Sequence, residues 1–357
     1  MHIPDGYLSP ATCATFYAAS VPAWLVAGRK VRAVVKSRYV PLVAVAAAFS
    51  FLVMMFNVPI PDGTTAHAVG AVLIAVLLGP WAAVIAVSTA LLIQALFFGD
   101  GGVLAFGANA FNMAIAMPLA GYGVYRLLTR NVSLTARRRA VAAGIGGYIG
   151  LNVSALLAAV EFGLQPVLFK AADGTPLYAP FHLGQTVPAM MLAHLTVAGL
   201  VEAAVGVGVV TYLQRANLPL LRINHRGIDD EAAAGVVGPP RRPWRAIGVA
   251  LAVLALLTPL GLLAPGTAFG ERAPSQLDLK TYHLDAVPNG LQHYAGFWHA
   301  ALFDGYDFKH DAHPIVGYLV SAGAGLAVVA VIAAIGYGLS RRRRGRGVVT
   351  IAGSAGT

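Results

Sequence analysis

The sequence predicts an all-α integral membrane protein: a seven-helix bundle followed by two further transmembrane helices, with the N-terminus outside and the C-terminus inside. Three observations carry this. The chain has 357 residues, of which 57% are hydrophobic and 11% charged, with a mean hydropathy of +0.70; that composition belongs to the membrane class. Its apolar residues fall into runs of membrane-spanning scale separated by polar connections. Finally, 21 of the 25 Lys and Arg residues lie in alternate connections, the bias that sets orientation under the positive-inside rule.

The predicted spans are residues 10–28, 39–57, 65–79, 80–98, 104–128, 138–163 and 185–213, then 244–264 and 314–339. The basic connections hold Arg29, Lys30, Arg32, Lys36 and Arg38; Arg126, Arg130 and Arg137 to Arg139; the stretch from Arg215 to Arg245; and a tail with Arg341 to Arg344 and Arg346. The opposite set holds only Lys170, Arg272, Lys280 and Lys309. An odd number of spans matches ends on opposite sides. Residues 1–215 form one unit, 216–243 have linker composition with Gly235, Gly238, Pro239 and Pro240, and 244–339 form a two-helix unit with an outer loop at 265–313. Residues 340–357 are a basic cytoplasmic tail. The pI of 9.9 therefore orients the chain in a bilayer and gives no reason to expect nucleic acid. Cys13 is the lone cysteine, which excludes a disulfide framework and a thiolate cluster. No cleavable signal peptide is expected ahead of the first span.

The first ten residues place a free amine beside a histidine. The Met1 amine, the His2 backbone nitrogen and the His2 imidazole can close fused five- and six-membered chelate rings around one ion. With a fourth nitrogen this is a square-planar field, which suits Ni(II) or Cu(II) better than Zn(II), Mg(II) or Ca(II). The third span supplies that donor. Thr64 or Thr65 is expected to cap a helix carrying His67 in its first turn and ending at Gly79-Pro80. About fifteen residues rise roughly 22 Å against a core of about 30 Å, so the helix is either re-entrant or ends below the outer surface, which would put His67 at the bottom of a funnel. An ionisable residue at that depth defaults to function.

Asn57, Gln94, Asn109, Asn112 and Glu161 fall in the outer third of their spans, where they can orient imidazoles or hold the decapeptide. Interhelical hydrogen bonding explains each of them individually as well. His194 and Glu202 carry no ligand expectation. The outer loop holds His283, His293, His299, His310 and His313 among Asp304, Asp307 and Asp311, and reads as a solvated polar loop rather than a metal collector. No phosphate-binding Gly-Lys-Ser/Thr loop and no hydrolase motif is present, so the chain is expected neither to hydrolyse ATP nor to be an enzyme.

Met1-His2-Ile3-Pro4-Asp5-Gly6, Thr64-Thr65-Ala66-His67-Ala68-Val69-Gly70 and Leu77-Leu78-Gly79-Pro80-Trp81 resemble the substrate-capture component of nickel and cobalt importers of the energy-coupling factor class. The likeness covers about residues 1–215. It implies a seven-helix capture protein in the bacterial cytoplasmic membrane, holding its ion through Met1, His2 and His67. Phe97-Phe98-Gly99-Asp100-Gly101-Gly102 and Gly107-Ala108-Asn109-Ala110-Phe111-Asn112 resemble loops that cover the site, which adds Asp5, Asp100 and the outer-third amides as supporting residues. Residues 244–339 resemble the two-helix companion subunit through 258–271 and Val287-Pro288-Asn289-Gly290-Leu291-Gln292. Phe269 stands where that family commonly has Trp, and Asn289 and Gln292 where it has acidic residues. The resemblance implies a separate transmembrane coupling subunit, two cytoplasmic ATPase subunits and a transported Ni(II) or Co(II), the latter for cobalamin synthesis, with no bound cofactor. A self-sufficient secondary metal transporter or channel is the alternative.

Overall fold

The computed structural model describes residues 1–34, 40–60, 64–225, 243–264, 266–308 and 313–349. Most of the expected linker and the end of the tail lie outside the described residues. Six helices are long and apolar enough to cross a membrane: Pro10–Val31, Pro80–Phe98, Arg137–Leu168, Leu183–Ala216, Arg245–Leu263 and Pro314–Gly338. The chain is a multi-pass membrane protein. Large apolar side chains such as Leu25, Leu156, Leu200, Val253 and Ile335 face outward from these helices, as a lipid-facing surface requires.

In chain order the elements are α1 (Pro10–Val34), α2 (Val40–Met54), strands β1 (Val58–Ile60) and β2 (Thr64–Ala66), α3 (Ala71–Leu78) and α4 (Pro80–Phe98). A helix running from Phe106 to Leu128 follows, with wide π-type turns at Ala110–Ala116 between α5 (Phe106–Asn109) and α6 (Met117–Leu128). Next come α7 (Arg137–Leu168) and a helix that passes from α8 (Leu183–Ala193) through π-type turns at His194–Ala198 into α9 (Gly199–Ala216), with the short α10 (Leu218–Arg222) behind it. The second unit has α11 (Pro243–Leu257), an outer loop with the short α12 (Asn289–Tyr294), and α13 (Pro314–Val349).

The third apolar run differs from expectation. It is not one helix from residue 65: Thr64–Ala66 pairs antiparallel with Val58–Ile60, and α3 has only eight residues. The reason is local. Val58, Ile60, Thr64 and Thr65 are β-branched and favour extended backbone. Gly70 then turns the chain at φ 73°, a left-handed conformation that costs other residues energy. Thr64 and Thr65 therefore cap nothing, and His67 sits after a strand instead of in a helix's first turn.

Small residues let the helices close. An added Cβ on Gly150 of α7 would lie 2.7 Å from the Met117 carbonyl oxygen, and one on Gly144 would lie 3.0 Å from that of Ala203, so α7 packs tightly on α6 and α9 by its small face. The second unit meets the first in the same way: Gly261 abuts the Met55 carbonyl and Gly325 the Phe51 ring. Its outer loop crosses the mouth of the bundle. The Leu302 and Phe303 amides both donate to the Phe97 carbonyl at 3.0 Å, Leu291 N–H donates to Leu177 O at 3.1 Å, and Trp298 Nε1 donates to Leu96 O at 2.9 Å.

Candidate metal-capture site

The N-terminal decapeptide is not a free tail. Met1, His2, Ile3, Tyr7 and Leu8 are all buried. Its end is fixed by a helix start: Pro10 opens α1 and Ser9 Oγ accepts the Thr12 amide at 3.0 Å, the arrangement that satisfies an otherwise orphaned N–H. Its middle is fixed by pairing. Asn109 accepts Ile3 N–H at 2.8 Å and donates to Ile3 O at 3.0 Å, while Gly102 N–H also donates to Ile3 O at 2.8 Å. The Asp5 carboxylate accepts the amides of Val103 at 3.0 Å and Ala105 at 3.1 Å. Burial raises the Asp5 pKa, and these amide bonds oppose the shift. Further on, Ser9 N–H donates to Gln165 Oε1 at 2.9 Å and Ala179 N–H to Tyr7 O at 3.0 Å. Gly6, at φ 88°, lies where an added Cβ would come within 2.6 Å of Leu291 O, so the outer loop can press on the decapeptide only at a glycine.

His67 is held from the other side. The two residues before Ala71 present their amides to one carboxylate: Val69 N–H donates to Glu202 Oε2 at 2.8 Å, and Gly70 N–H reaches both Glu202 oxygens at 3.0 and 3.1 Å. A carboxyl acceptor for otherwise unpaired N–H groups is worth roughly 0.5–1.5 kcal/mol per bond. It fixes the turn from which His67 projects.

The histidine rings stack with centroids 4.9 Å apart and planes 29° apart. His67 Nδ1 lies 3.1 Å from Ala68 O, an atom that can only accept, which places the proton on Nδ1 and the lone pair on Nε2. His2 Nδ1 lies 3.1 Å from Asp100 Oδ1. Burial, helped by the Met1 ammonium and opposed by Glu271 and Gln94, pushes the His2 pKa down to about 4, so the Asp100 contact is a hydrogen bond from a neutral ring. Both Nε2 atoms are buried without a hydrogen-bond partner. Each such orphan costs about 1–3 kcal/mol unless something coordinates it. Two lone pairs of this kind beside a terminal amine form a donor set for a borderline-soft divalent ion.

One detail departs from the expected chelate. A six-membered ring from the His2 amide closes through Nδ1, and here Nδ1 is engaged by Asp100 while Nε2 is unpartnered. A half-turn about the Cβ–Cγ bond takes Nδ1 off Asp100 and sets it where Cδ2 now lies, beside Gly101. The Met1 nitrogen is engaged too, 3.0 Å from Glu271 Oε1.

Of the expected supporting residues, Asp5 lies within the decapeptide and ties it to Val103 and Ala105, while Asp100 and Asn109 touch it directly. Gln94 Nε2 donates to Tyr306 Oη at 2.8 Å and lies 3.3 Å from Asp100 Oδ2, and the Tyr306 hydroxyl donates to the same carboxylate. Burial and Asp100 raise the Tyr306 phenol well above its ordinary value, which keeps it a donor. Asn112 donates to Glu161 at 3.0 Å, and among the described residues neither hydrogen-bonds an imidazole. Asn57 lies elsewhere: its amide nitrogen abuts Gly261 and its side chain bonds Tyr318. Four contributors were not anticipated, Gln165, Glu202, Glu271 and Tyr306, because each acts from more than 100 positions away. In the outer loop, His293 packs edge-on against Tyr294 and His310 lies outside the described residues. Among the described residues no group of three or more His, Cys, Asp or Glu is placed to hold an ion.

Residues 2–220 match the family of the cobalt uptake substrate-specific transmembrane region, CbiM. The chain is 47% identical to the fused nickel transport protein NikMN of Rhodobacter capsulatus over 352 residues, covering 95% of this chain and 97% of the relative. It is 32% identical over 274 residues to the cobalt transport protein CbiM of Geobacter sulfurreducens, covering 75% and 73% respectively. A crystal structure of a truncated transition metal transporter superposes with a TM-score of 0.56 at 56% identity, covering 60% of this chain and 98% of that one.

Proposed function

The chain belongs to the CbiM family of nickel and cobalt uptake proteins, a transport family and not an enzyme class, and from that premise we propose that it captures a divalent transition-metal ion, nickel first and cobalt second, on the extracytoplasmic face. The reading rests above all on the buried, unpartnered Nε2 of His67, in a ring stacked on that of His2, the residue that follows the Met1 amine. The ion is the cargo, held by the Met1 amine, the His2 amide and ring, and the His67 ring. The His2 amide nitrogen donates no hydrogen bond among the described residues, which leaves it available. Residues 1–215 are the capture unit and 244–339 the companion unit, joined by the linker at 216–243. The basic-residue bias supports an outside N-terminus.

Import then requires energy from elsewhere, because the sequence carries no phosphate-binding loop. A separate transmembrane coupling subunit and two cytoplasmic ATPase subunits fill that role. The test has two arms. Full-length protein purified with a free N-terminus should hold about one nickel by metal analysis, and chemically acetylated protein should hold far less. Uptake in cells lacking other importers should need the coupling and ATPase subunits. Robust gradient-driven uptake by this chain alone in liposomes would replace the reading with a secondary transporter.

A further inference from the structure

The capture unit does not close its own site. Met1, His2 and His67 are 3%, 2% and 4% exposed, and two of the contacts that seal them come from the second unit. Glu271 Oε1 lies 3.0 Å from the Met1 nitrogen, 270 positions away. Tyr306 donates to Asp100 Oδ2, whose other oxygen lies 3.1 Å from His2 Nδ1. Two of the three nitrogens that a Met1–His2 chelate would use, the amine and His2 Nδ1, are therefore engaged by carboxylates, one supplied by the second unit and one buttressed by it.

This clamp is anchored in the bundle. Ser321 of α13 donates to the Tyr306 carbonyl at 3.0 Å, and the neighbouring Phe303 amide donates to Phe97 O, at the end of α4. Glu271 is tethered close by, because Tyr7 Oη donates to the Arg272 carbonyl at 2.7 Å and its own amide donates to Ala268 O at 3.1 Å. The outer loop thus bonds to the first unit beside both residues, to Tyr7 of the decapeptide next to Glu271 and to Phe97 of α4 near Tyr306.

We infer that Glu271 and Tyr306 are positioning residues of the capture site, which hold Met1 and His2 in the closed, metal-free arrangement until an arriving ion displaces them. The inference rests on the proposed capture function. Glu271 acts directly on the amine; Tyr306 acts through Asp100. In the loaded state the amine and the His2 ring turn to the ion, and neither carboxylate keeps its present contact. Loosening the clamp therefore favours entry without favouring escape.

The experiment is stopped-flow association of Ni(II) with full-length protein in detergent, followed by dissociation into excess EDTA. Glu271→Gln should associate roughly tenfold faster, as expected when a partly buried charge-assisted contact becomes a neutral one. Its dissociation should stay within about twofold of the parent, so its affinity should rise. Tyr306→Phe should act in the same direction, and Glu271→Asp should return the association rate toward the parent value. A merely structural role gives the opposite pattern, with weaker binding through faster dissociation and a lower melting temperature; that result, or association rates unchanged in both variants, overturns the inference. His67→Ala is measured alongside. If it keeps parental affinity, the capture-site reading itself has failed, whereas a His67-dependent site indifferent to Glu271 and Tyr306 refutes the clamp alone.

Discussion

Replacing His67 by alanine separates a ligand from a packing residue, because the two roles move different observables. The ring is 4% exposed, stacks on His2 at 4.9 Å, and carries one satisfied and one orphaned nitrogen. For the metal-free protein, removal loses ring packing worth a few kcal/mol but also relieves an unsatisfied buried acceptor worth about 1–3 kcal/mol. The two largely cancel, so the melting temperature should change little. For the loaded protein nothing cancels. If four nitrogens share roughly 10–16 kcal/mol, as in four-ligand structural metal sites, losing one costs about 3 kcal/mol, or roughly a hundredfold in affinity. The assay is competition against a chromophoric chelator on full-length protein, paired with thermal unfolding without metal. Parental affinity together with a clearly lowered melting temperature would show that His67 only packs.

The supporting residues make further expectations. Asp5→Ala strands the buried amides of Val103 and Ala105; it should destabilise the protein by about 2–4 kcal/mol and expose the decapeptide to aminopeptidase, read by mass spectrometry. Glu202→Gln keeps the size but replaces one of the two acceptor oxygens facing Val69 and Gly70 with a donor, so metal affinity should fall about tenfold, in line with orienting groups around metal ligands, with every imidazole intact. Gly70→Ala combines φ 73° with a Cβ placed 2.5 Å from the Phe49 ring and should cost at least about 1–2 kcal/mol in denaturant unfolding. On pH, the His2 pKa is lowered to about 4 from an ordinary 6.5. The closed state therefore favours the neutral ring, and its advantage is complete above pH 6.5 and lost as pH falls through 4. A plot of log affinity against pH should keep one slope from 6.5 to 5 and gain the His2 proton only near 4. A step at 6.5 would show that His2 is not buried as described.

How much of this was legible in the sequence follows the physics of each signal. Hydropathy reports a long helix well because it averages over a window, and α1, α4, α7 and α13 each contain the run that predicted them. His2 stood out because it follows a free amine, His67 because histidine is costly at such depth, and Asp5 and Asn109 because they sit in or beside the short motifs. Averaging erases what is short. The antiparallel pair Val58–Ile60 and Thr64–Ala66 was written in its β-branched residues, yet it vanished into the neighbouring apolar run. Glu271 and Tyr306 left no local trace. Their roles depend on a loop from the second unit folding over the mouth of the first, and no periodicity encodes a contact across 200 or more positions.

The irregular backbone gathers around the same residues. A β-hairpin precedes His67; π-type turns at Ala110–Ala116 directly follow Asn109, which holds Ile3; a second set begins at His194 and packs on the hairpin. Non-helical backbone is tolerated within a membrane protein where other protein satisfies its polar groups, and π-type turns often mark functional sites in helices. A regular α3 reaching back to residue 65 would have paired the Val69 and Gly70 amides with its own carbonyls. Those amides instead reach Glu202, and the freed segment carries His67 to His2. The departures from ideal helix are thus the means by which a chain that lipid would otherwise force into uniform helices stacks the imidazole of a buried N-terminal segment on that of His67.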